Sequence, residues 1–234
     1  MRYTELHCKT NFSFLEGASF ADELIEQAHA LGLQALGVTD RHSLAGIVRA
    51  HVAAKEKKLQ LLIGTEITPD DAPPLLLYPT GRAAYGRLAR LITLGCGRAE
   101  KGHCHLTVRD VAEHAQGQIV IAVPPLDMCA FRQWTEQTPT LLKDAFGSRL
   151  YTAIELHRGP HDRERRARLV NYSERFGIPL VAANDVHYHS AQRRFLQDVE
   201  VCIREGCTLE MAGRRLFPNA ERRLKSAEEM YSVL

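Results

Sequence analysis

Short apolar runs alternate along this chain with segments in which apolar residues recur at helical spacing. The runs predict seven strands, at residues 3–7, 35–39, 59–67, 75–78, 118–123, 149–156 and 180–183. The intervening segments predict helices, at residues 19–31, 43–55, 85–96, 108–114, 162–176 and 191–204, with a further helical stretch around Trp134. The β-α-β-α-β order at the start is typical of a parallel sheet with crossover helices. We therefore predict an α/β fold, either a barrel or a doubly wound sheet.

Potential ligands stand where several of these strands end. They are His7, Asp40, Glu66, His157 and the pair Asp185 and His187. In parallel α/β folds the carboxyl ends of the strands are where ligands and metals bind. Ligands on several non-adjacent strands favour the barrel, because its strand ends converge on one point. The sequence therefore predicts one polar site at the mouth of a barrel.

The composition suits one globular domain and argues against several classes of protein. The chain has 234 residues, of which 45% are hydrophobic and 25% charged, and no apolar run approaches the roughly 20 residues of a membrane helix. Its first five residues lack the apolar core of a signal peptide, so a cytoplasmic protein is expected. The six cysteines include no Cys-x-x-Cys pair, which argues against a zinc ribbon or a disulfide framework. A formal charge of +2 does not by itself indicate nucleic-acid binding.

Imidazole and carboxylate groups at strand ends suit divalent cations. Neutral imidazole binds zinc, manganese or iron, and carboxylates offset the positive charge. Two or three such ions about 3.5–4 Å apart can bind both the attacking and the leaving oxygen of a phosphoester. Taken singly, His7 and His157 also fit the ordinary role of a hydrogen-bonded core histidine. Alternation along a strand puts Asp185 and His187 on one face, and puts Cys8 opposite His7 as a packed thiol.

Four segments, in this order, resemble the motifs of PHP (polymerase and histidinol phosphatase) domains. They are Leu6-His-Cys-Lys-Thr-Asn-Phe-Ser-Phe-Leu-Glu-Gly17, Val38-Thr-Asp-Arg-His-Ser-Leu-Ala-Gly46, Gly64-Thr-Glu66 and Ala183-Asn-Asp-Val-His-Tyr188. Residues 87–102 and 217–224 resemble, more narrowly, the error-prone branch of the C-family bacterial DNA polymerases, the family of the polymerase III α subunit. The N-terminal domain of that family is a PHP domain, and the resemblance covers essentially the whole chain.

This resemblance implies a distorted (β/α)7 barrel at residues 1–203, followed by a helical and irregular tail at residues 204–234 that leads toward a polymerase core. The parent family consists of DNA-directed DNA polymerases of replication and repair, whose polymerase reaction uses Mg²⁺. Their palm, fingers, β-binding and OB regions have no counterpart in this sequence, so the chain alone is not expected to polymerise nucleotides. The implied partners are the polymerase core, DNA through that core, and accessory proteins of the damage response, with no membrane.

Two positions depart from the metal-binding pattern of the family. Metal-binding PHP domains open with His-x-His and continue with Thr-Asp-His, whereas this chain has Lys9 and Arg41 at the last histidine of each motif. Neither a protonated lysine nor a guanidinium offers a lone pair to a metal. Without metals, Asp40, Glu66 and Asp185 would repel one another, and Lys9 and Arg41 can neutralise them through charge-assisted hydrogen bonds. We therefore expect a pocket held by ion pairs, in a domain that acts as a scaffold.

Three functions remain open from the sequence. The first is this non-catalytic domain of an error-prone, translesion DNA polymerase. The second is a metal-dependent phosphoesterase, either a 3′–5′ exonuclease or a phosphatase, with a reduced Zn or Mn site at His7, Glu66, Asp185 and His187. The third is a nucleic-acid-binding module that uses the Arg-rich segments 158–168 and 214–225, although an aromatic content of 7% provides few stacking residues. The ordinary interpretation of those segments is a set of solvated helix faces and a solvated tail.

Overall fold

The structure, a computed structural model, describes residues 2–234, the side chain of Gln137 excepted. The strands within these residues are β1 Ala35–Arg41, β2 Gln60–Ile67, β3 Leu75–Pro79, β4 Gln118–Ala122, β5 Leu150–Ile154 and β6 Leu180–Ala182. The helices are α1 Ala21–Ala30, α2 Ile47–Lys57, α3 Arg82–Gly97, α4 Val108–Glu113, α5 Met128–Phe146, α6 Asp162–Phe176, α7 Arg194–Glu205, α8 Leu209–Ala212 and α9 Ala227–Val233. Single 3₁₀ turns occupy Gly147–Arg149, Ala191–Arg193 and Gly213–Arg215.

The six strands form a sheet in which spatial order follows chain order. Strand β3 is antiparallel to β2 and β4, whereas β4 and β5 are parallel. The antiparallel step departs from the expected alternation of strand and helix, because the connection at residues 68–74 is too short to hold a crossover helix. The predicted strand at residues 3–7 is reduced to isolated parallel bridges, Glu5 with Leu36 and Cys8 with Val186. The other six predicted strands are confirmed.

The chain divides into two compact units, of which the first comprises residues 1–63, 155–162 and 182–234. Its core joins the inner faces of α1 and α2 to β1, and it also contains Cys8, Val186 and Leu224. The prediction of a packed thiol is confirmed, because Cys8 is fully buried and burial raises the pKa of its thiol. This unit carries most of the residues singled out from the sequence.

The second unit comprises residues 64–154 and 163–181. Its core combines leucines of β3 and α3 with the apolar side chains of β4 and β5. An aromatic cluster links α5 to α6, with the Trp134 and Tyr172 rings stacked at 4.5 Å between centroids and Tyr172 at 4.8 Å from Phe176. None of the helices in the described residues combines the length and the apolar character needed to cross a bilayer.

Local signals account for several element boundaries. Helix α1 begins after Phe20, whose N–H donates to the Glu23 carboxylate at 2.9 Å, so it starts slightly later than the predicted helix at residues 19–31. It ends at Ala30, and Gly32 two residues later adopts a left-handed φ of +74°. Thr107 and Ser226 each accept a hydrogen bond at the N-terminus of α4 and α9, as expected of capping residues.

Candidate functional site

The extended segment at residues 5–9 is held between two neighbours in the first unit. On one side Thr39 N in β1 donates to Cys8 O at 2.8 Å, and on the other side Lys9 N donates to Val186 O at 2.9 Å. Because side chains alternate along an extended segment, Cys8 points into the core and His7 shares the opposite face with Lys9. The two motif residues therefore reach the same pocket.

Asp185 lies at the centre of this pocket. The Lys9 ammonium donates to Asp185 Oδ1 at 2.9 Å, and Arg222 Nη1 donates to Asp185 Oδ2. The Nε2 atoms of His7 and His187 lie 3.4 and 3.2 Å from the same Oδ1. A carboxylate whose side chain is 14% exposed thus has a cation on each of its oxygens.

The path by which Asp185 and His187 meet differs from the predicted one. Strand β6 ends at Ala182, and Asp185 adopts a left-handed φ of +43°, so regular strand alternation does not extend to this pair. Instead, the buried Glu5 carboxylate accepts hydrogen bonds from His7 N at 2.8 Å and Asn184 N at 3.1 Å. Glu5 therefore ties the first motif to the chain segment that carries Asp185.

His7 is oriented by a carboxylate on its other ring nitrogen. Its Nδ1 lies 2.7 Å from Glu155 Oε1, which is hydrogen-bond distance in a site where both side chains are almost fully buried. Burial alone would raise the pKa of Glu155, but the adjacent His7 outweighs it and lowers that pKa to about 2. Glu155 is therefore ionised and holds the proton of His7 on Nδ1.

His187 is oriented by the backbone. Its Nδ1 lies 3.0 Å from Glu16 O, and because a carbonyl can only accept, the proton resides on Nδ1. Burial, reinforced by the charge of Lys9, lowers the pKa of His187 to about 3, so the ring is neutral at neutral pH. Its Nε2 is close to Asp185 Oδ1 but has no hydrogen-bond partner among the described residues.

Glu16 is the second carboxylate that gathers cations. Arg41 Nη1 donates to Glu16 Oε1, Arg204 Nη1 lies 3.9 Å from the same oxygen, and Lys9 Nζ lies 4.0 Å from Oε2. The contact of Arg41 is therefore with a carboxylate that the sequence analysis had not considered. Its side chain is 45% exposed, which makes this pair weaker than the buried one at Asp185.

Asp40 organises the loop that follows the first motif. Its carboxylate accepts from Thr10 N at 2.7 Å, Thr10 Oγ1 at 2.8 Å and Ser13 Oγ at 2.7 Å. Burial raises the pKa of Asp40 although these hydrogen bonds oppose the shift. Gly46 packs closely here, since a Cβ on it would lie 2.7 Å from Asp40 Oδ2.

The two remaining predicted ligands make other contacts. His157 Nε2 is hydrogen-bonded to Asn184 O at 2.9 Å, which matches the ordinary role of a core histidine. Burial, together with the charge of Arg222, lowers the pKa of His157 to about 4. Glu66 lies on β2 in the second unit, where its buried carboxylate is 3.5 Å from Thr68 Oγ1.

Several residues of the pocket were missed by the sequence analysis. Glu155 had a usable signal, because it is a charged residue within the apolar run that predicted a strand at residues 149–156, two positions before His157. Arg222 and Lys225 had none, since they belong to the Arg-rich tail that was expected to be solvated. That expectation was wrong for both: Arg222 is 8% exposed and Lys225 is 1% exposed. The segment pairs with the chain that directly follows Asp185 and His187, as Leu224 N donates to Tyr188 O at 3.2 Å.

The ordered motifs and this fold agree with a comparison to known protein families. Residues 5–145 match the PHP domain. The chain belongs to the PHP domain family. The strand order in chain sequence and the α/β fold are those of a distorted PHP barrel, as the sequence predicted.

Similar sequences extend the match across the whole PHP chain. It is 49% identical over 229 residues to an error-prone DNA polymerase of Caulobacter vibrioides, and 43% identical over 240 residues to one of Rhodopirellula baltica. These alignments cover 97% and 98% of this chain, but only 21% of each relative. The chain therefore spans about a fifth of the length of these polymerases.

Solved structures support the fold. A putative metal-dependent phosphoesterase from Bifidobacterium adolescentis superposes with a TM-score of 0.58 at 17% identity, covering 80% of this chain and 88% of that one. The lesion-specific endonuclease PfuEndoQ from Pyrococcus furiosus superposes with a TM-score of 0.54 at 14% identity, covering 79% and 48% respectively. At these identities the likeness establishes a common fold.

Whether the pocket suits a divalent metal, as the resemblance to PHP domains implies, depends on the donor atoms that it offers. His7, Glu155 and Asp185 offer ligand atoms within 4.8 Å of one another. However, His7 and Glu155 are already joined by their 2.7 Å hydrogen bond, and both oxygens of Asp185 are bound by cations. Lys9 and Arg41, which the motif resemblance aligns with two histidines, offer no lone pair to an ion, so these residues do not fit a full multi-ion ligand set. A single ion would have to displace the Lys9 ammonium from Asp185.

Proposed function

We propose that this chain is the PHP domain of an error-prone, translesion DNA polymerase and that its pocket is a structural ion-pair centre. The observation that carries the proposal is the double pairing of Asp185, with Lys9 on Oδ1 and Arg222 on Oδ2. The sequence similarity to error-prone polymerases supports the parent protein. The remainder of such a polymerase, which these residues do not include, would supply Mg²⁺-dependent synthesis and the contact with DNA.

Electrostatics support the assignment of Lys9 to the position of a metal. Asp185 Oδ1 faces the Nε2 atoms of His7 and His187 within 3.4 Å, and the neutral His187 presents a lone pair rather than a proton. The Asp185 carboxylate oxygen and this lone pair lie 3.2 Å apart and require a nearby positive charge. The Lys9 ammonium supplies it without any metal, and its charge-assisted hydrogen bond is short enough to be strong.

A structural role explains why so many charges are kept. Removing one member of a buried ion pair leaves an uncompensated charge, so the pocket is stable only as a complete set. Within a larger polymerase, we propose that the domain supports the polymerase core and contacts accessory proteins of the damage response in the cytoplasm. DNA would be reached through the core.

A reduced phosphoesterase is the second candidate. It is favoured by the unpartnered Nε2 of His187 and by the orientation of His7 through Glu155, since a carboxylate on the far nitrogen is the usual support for a metal-binding histidine. In that case His7, Asp185 and His187 would hold a single Zn²⁺ or Mn²⁺. The ion would supply Lewis-acid chemistry at a phosphoester when bound.

Metal analysis of the purified chain separates the two candidates. The protein is equilibrated with Zn²⁺ or Mn²⁺, passed through a desalting column, and measured by inductively coupled plasma mass spectrometry. Hydrolysis of bis-p-nitrophenyl phosphate and of a DNA 3′ end is measured in parallel. We expect far less than one ion per chain and no hydrolysis above that of an Asp185→Asn variant. A stoichiometric ion, with hydrolysis that Asp185→Asn abolishes, would establish the phosphoesterase instead.

A further inference from the structure

Helix α7 turns its apolar side away from its own unit. Phe195 is 67% exposed, Leu196 is 40% exposed and Ile203 is 62% exposed, while Val199 is half-buried. Residues 195, 199 and 203 are spaced at i, i+4 and i+8, so they form one stripe along the helix. Leu196 broadens that stripe.

The side of α7 that faces its own unit is mixed, because Val201 and Cys202 are buried there together with polar side chains. Gln197 is 1% exposed, and the partly buried Asp198 lies 3.7 Å from Arg194 through its carboxylate. The side-chain oxygens Gln197 Oε1 and Asp198 Oδ1 are buried and have no hydrogen-bond partner within the part of the chain that the structure describes. A surface helix normally buries its apolar stripe and exposes its polar face. Helix α7 instead exposes an apolar stripe and buries Gln197 beside Val201 and Cys202, which is expected of a helix that packs against a second body on its outer side.

Further apolar side chains are exposed on the helix that follows α7. Helix α8 packs against α7 and carries Leu209, 40% exposed, and Met211, 72% exposed. We define the α7 face as Phe195, Leu196, Val199, Ile203, Leu209 and Met211. Aromatic residues and Met are enriched in protein interfaces, and a contiguous exposed apolar patch marks an interaction site. None of these six residues is charged, so the face does not suit the phosphates of a nucleic acid.

We propose that the α7 face is the docking surface for the polymerase region of the same, longer polypeptide. The inference rests on the proposed function. In the similar error-prone polymerases, the region that matches this chain makes up 21% of the polypeptide. The remaining four fifths of such a chain is tethered to this domain, so its local concentration is permanently high. Permanent interfaces are the ones that bury an uninterrupted apolar surface.

Hydroxyl-radical footprinting tests the docking. The 234-residue chain and the longer polymerase that carries it are oxidised side by side, and the modification rates of Phe195, Ile203 and Met211 are compared by mass spectrometry. We expect these rates to fall about tenfold in the polymerase, as for side chains entering an interface core. Val48 on α2, which is 72% exposed, provides the matched apolar control and should be unchanged.

Equal rates in the two proteins would overturn the proposal. Protection already present in the 234-residue chain, together with a dimer mass in light scattering, would also overturn it by identifying a second copy as the occupant. Neither result bears on metal content or hydrolysis, so failure of the docking and failure of the proposed function are distinguishable.

Substitution in the polymerase provides a second, independent readout. Ile203→Glu should lower the melting temperature and DNA synthesis of the polymerase while leaving the melting temperature of the 234-residue chain unchanged. Val48→Glu should alter neither protein. If Ile203→Glu and Val48→Glu behave alike in the polymerase, the α7 face is not its docking surface.

Discussion

The Lys9 ammonium lies 2.9 Å from Oδ1 of Asp185, and Arg222 donates to the other oxygen of the same carboxylate. Lys9 is 5% exposed and Arg222 is 8% exposed, so all three charges have lost most of their contact with water. Groups buried in this way depend on one another, because each compensates the desolvation of its partner. The stability of the pocket should therefore respond sharply to the loss of any one charge.

Replacing Lys9 by methionine tests this dependence with little change in side-chain volume. Lys9→Met removes one cation from Asp185 and should lower the free energy of unfolding by about 1–3 kcal/mol, as expected when a buried charge loses a partner. Urea unfolding at pH 7 measures the change. Lys55→Met, at an exposed position on α2, is the control and should have almost no effect. A Lys9→Met protein as stable as its parent would contradict the pairing.

A double-mutant cycle isolates the pair of Arg222 and Asp185. Arg222→Met alone should be destabilising, because Asp185 loses a cation and the Phe217 ring loses the guanidinium stacked 4.0 Å from its centroid. In an Asp185→Asn background the same change should cost less, with a coupling energy of about 1–3 kcal/mol. Chemical denaturation of the four proteins gives this energy. Additive effects would mean that the ion pair does not stabilise the fold.

Restoring the two family histidines should restore affinity for metal. In the Lys9→His, Arg41→His variant two cations are replaced by imidazoles, so repulsion of a divalent ion is removed and two lone pairs are added. We expect the melting temperature of this variant, but not of the parent, to rise with added Zn²⁺, because an ion that binds only the folded state stabilises it. The control variant Lys55→His, Arg49→His carries the same exchange on α2. Equal responses of the two variants would exclude a latent site in the pocket.

Acid should destabilise the fold through its buried neutral histidines. The pKa of His157 is about 4 and that of His187 about 3, both below the usual 6.5, so between these values the unfolded chain binds protons that the folded chain does not. Stability is then greatest above pH 6.5 and falls by about 1–2 kcal/mol per histidine on going to pH 5. Urea unfolding of His157→Gln between pH 7 and 5 should show a shallower decline. An unchanged slope would contradict this account, and exposed His51→Gln serves as the reference.

Two glycines distinguish close packing from simple helix propensity. Gly46→Ala places a Cβ 2.7 Å from Asp40 Oδ2 and 3.0 Å from Thr10 Oγ1, so it should destabilise by about 1–3 kcal/mol through overpacking. Gly86→Ala in α3 meets nothing within 4 Å and should stabilise by about 0.5–1 kcal/mol. Thermal unfolding of both variants, compared with the parent protein, measures these changes in stability. A neutral Gly46→Ala would show that the loop around Asp40 can relax.

The amino-acid sequence determined the local elements and the ordered motifs. Six of seven predicted strands and most helix ends are where the apolar pattern placed them, because periodicity and capping act over a few neighbouring residues. The exception, residues 3–7, forms only isolated bridges. Lys9 and Arg41, at positions where the resembled motifs carry histidine, were also readable, since a motif specifies residue type position by position.

Only the tertiary structure decided which charges meet. Asp185 is paired by Arg222, 37 residues further along the chain, and His7 by Glu155, 148 residues away. Arg41 binds Glu16 rather than a carboxylate of its own motif. The periodicity of α7 predicts an apolar stripe, but it does not show that this stripe faces outward. Ion pairing and burial depend on which residues are close in space. Such proximity produces no repeating pattern in the sequence. The sequence therefore identified two unusual cations, and the fold determined the carboxylates to which they are bound.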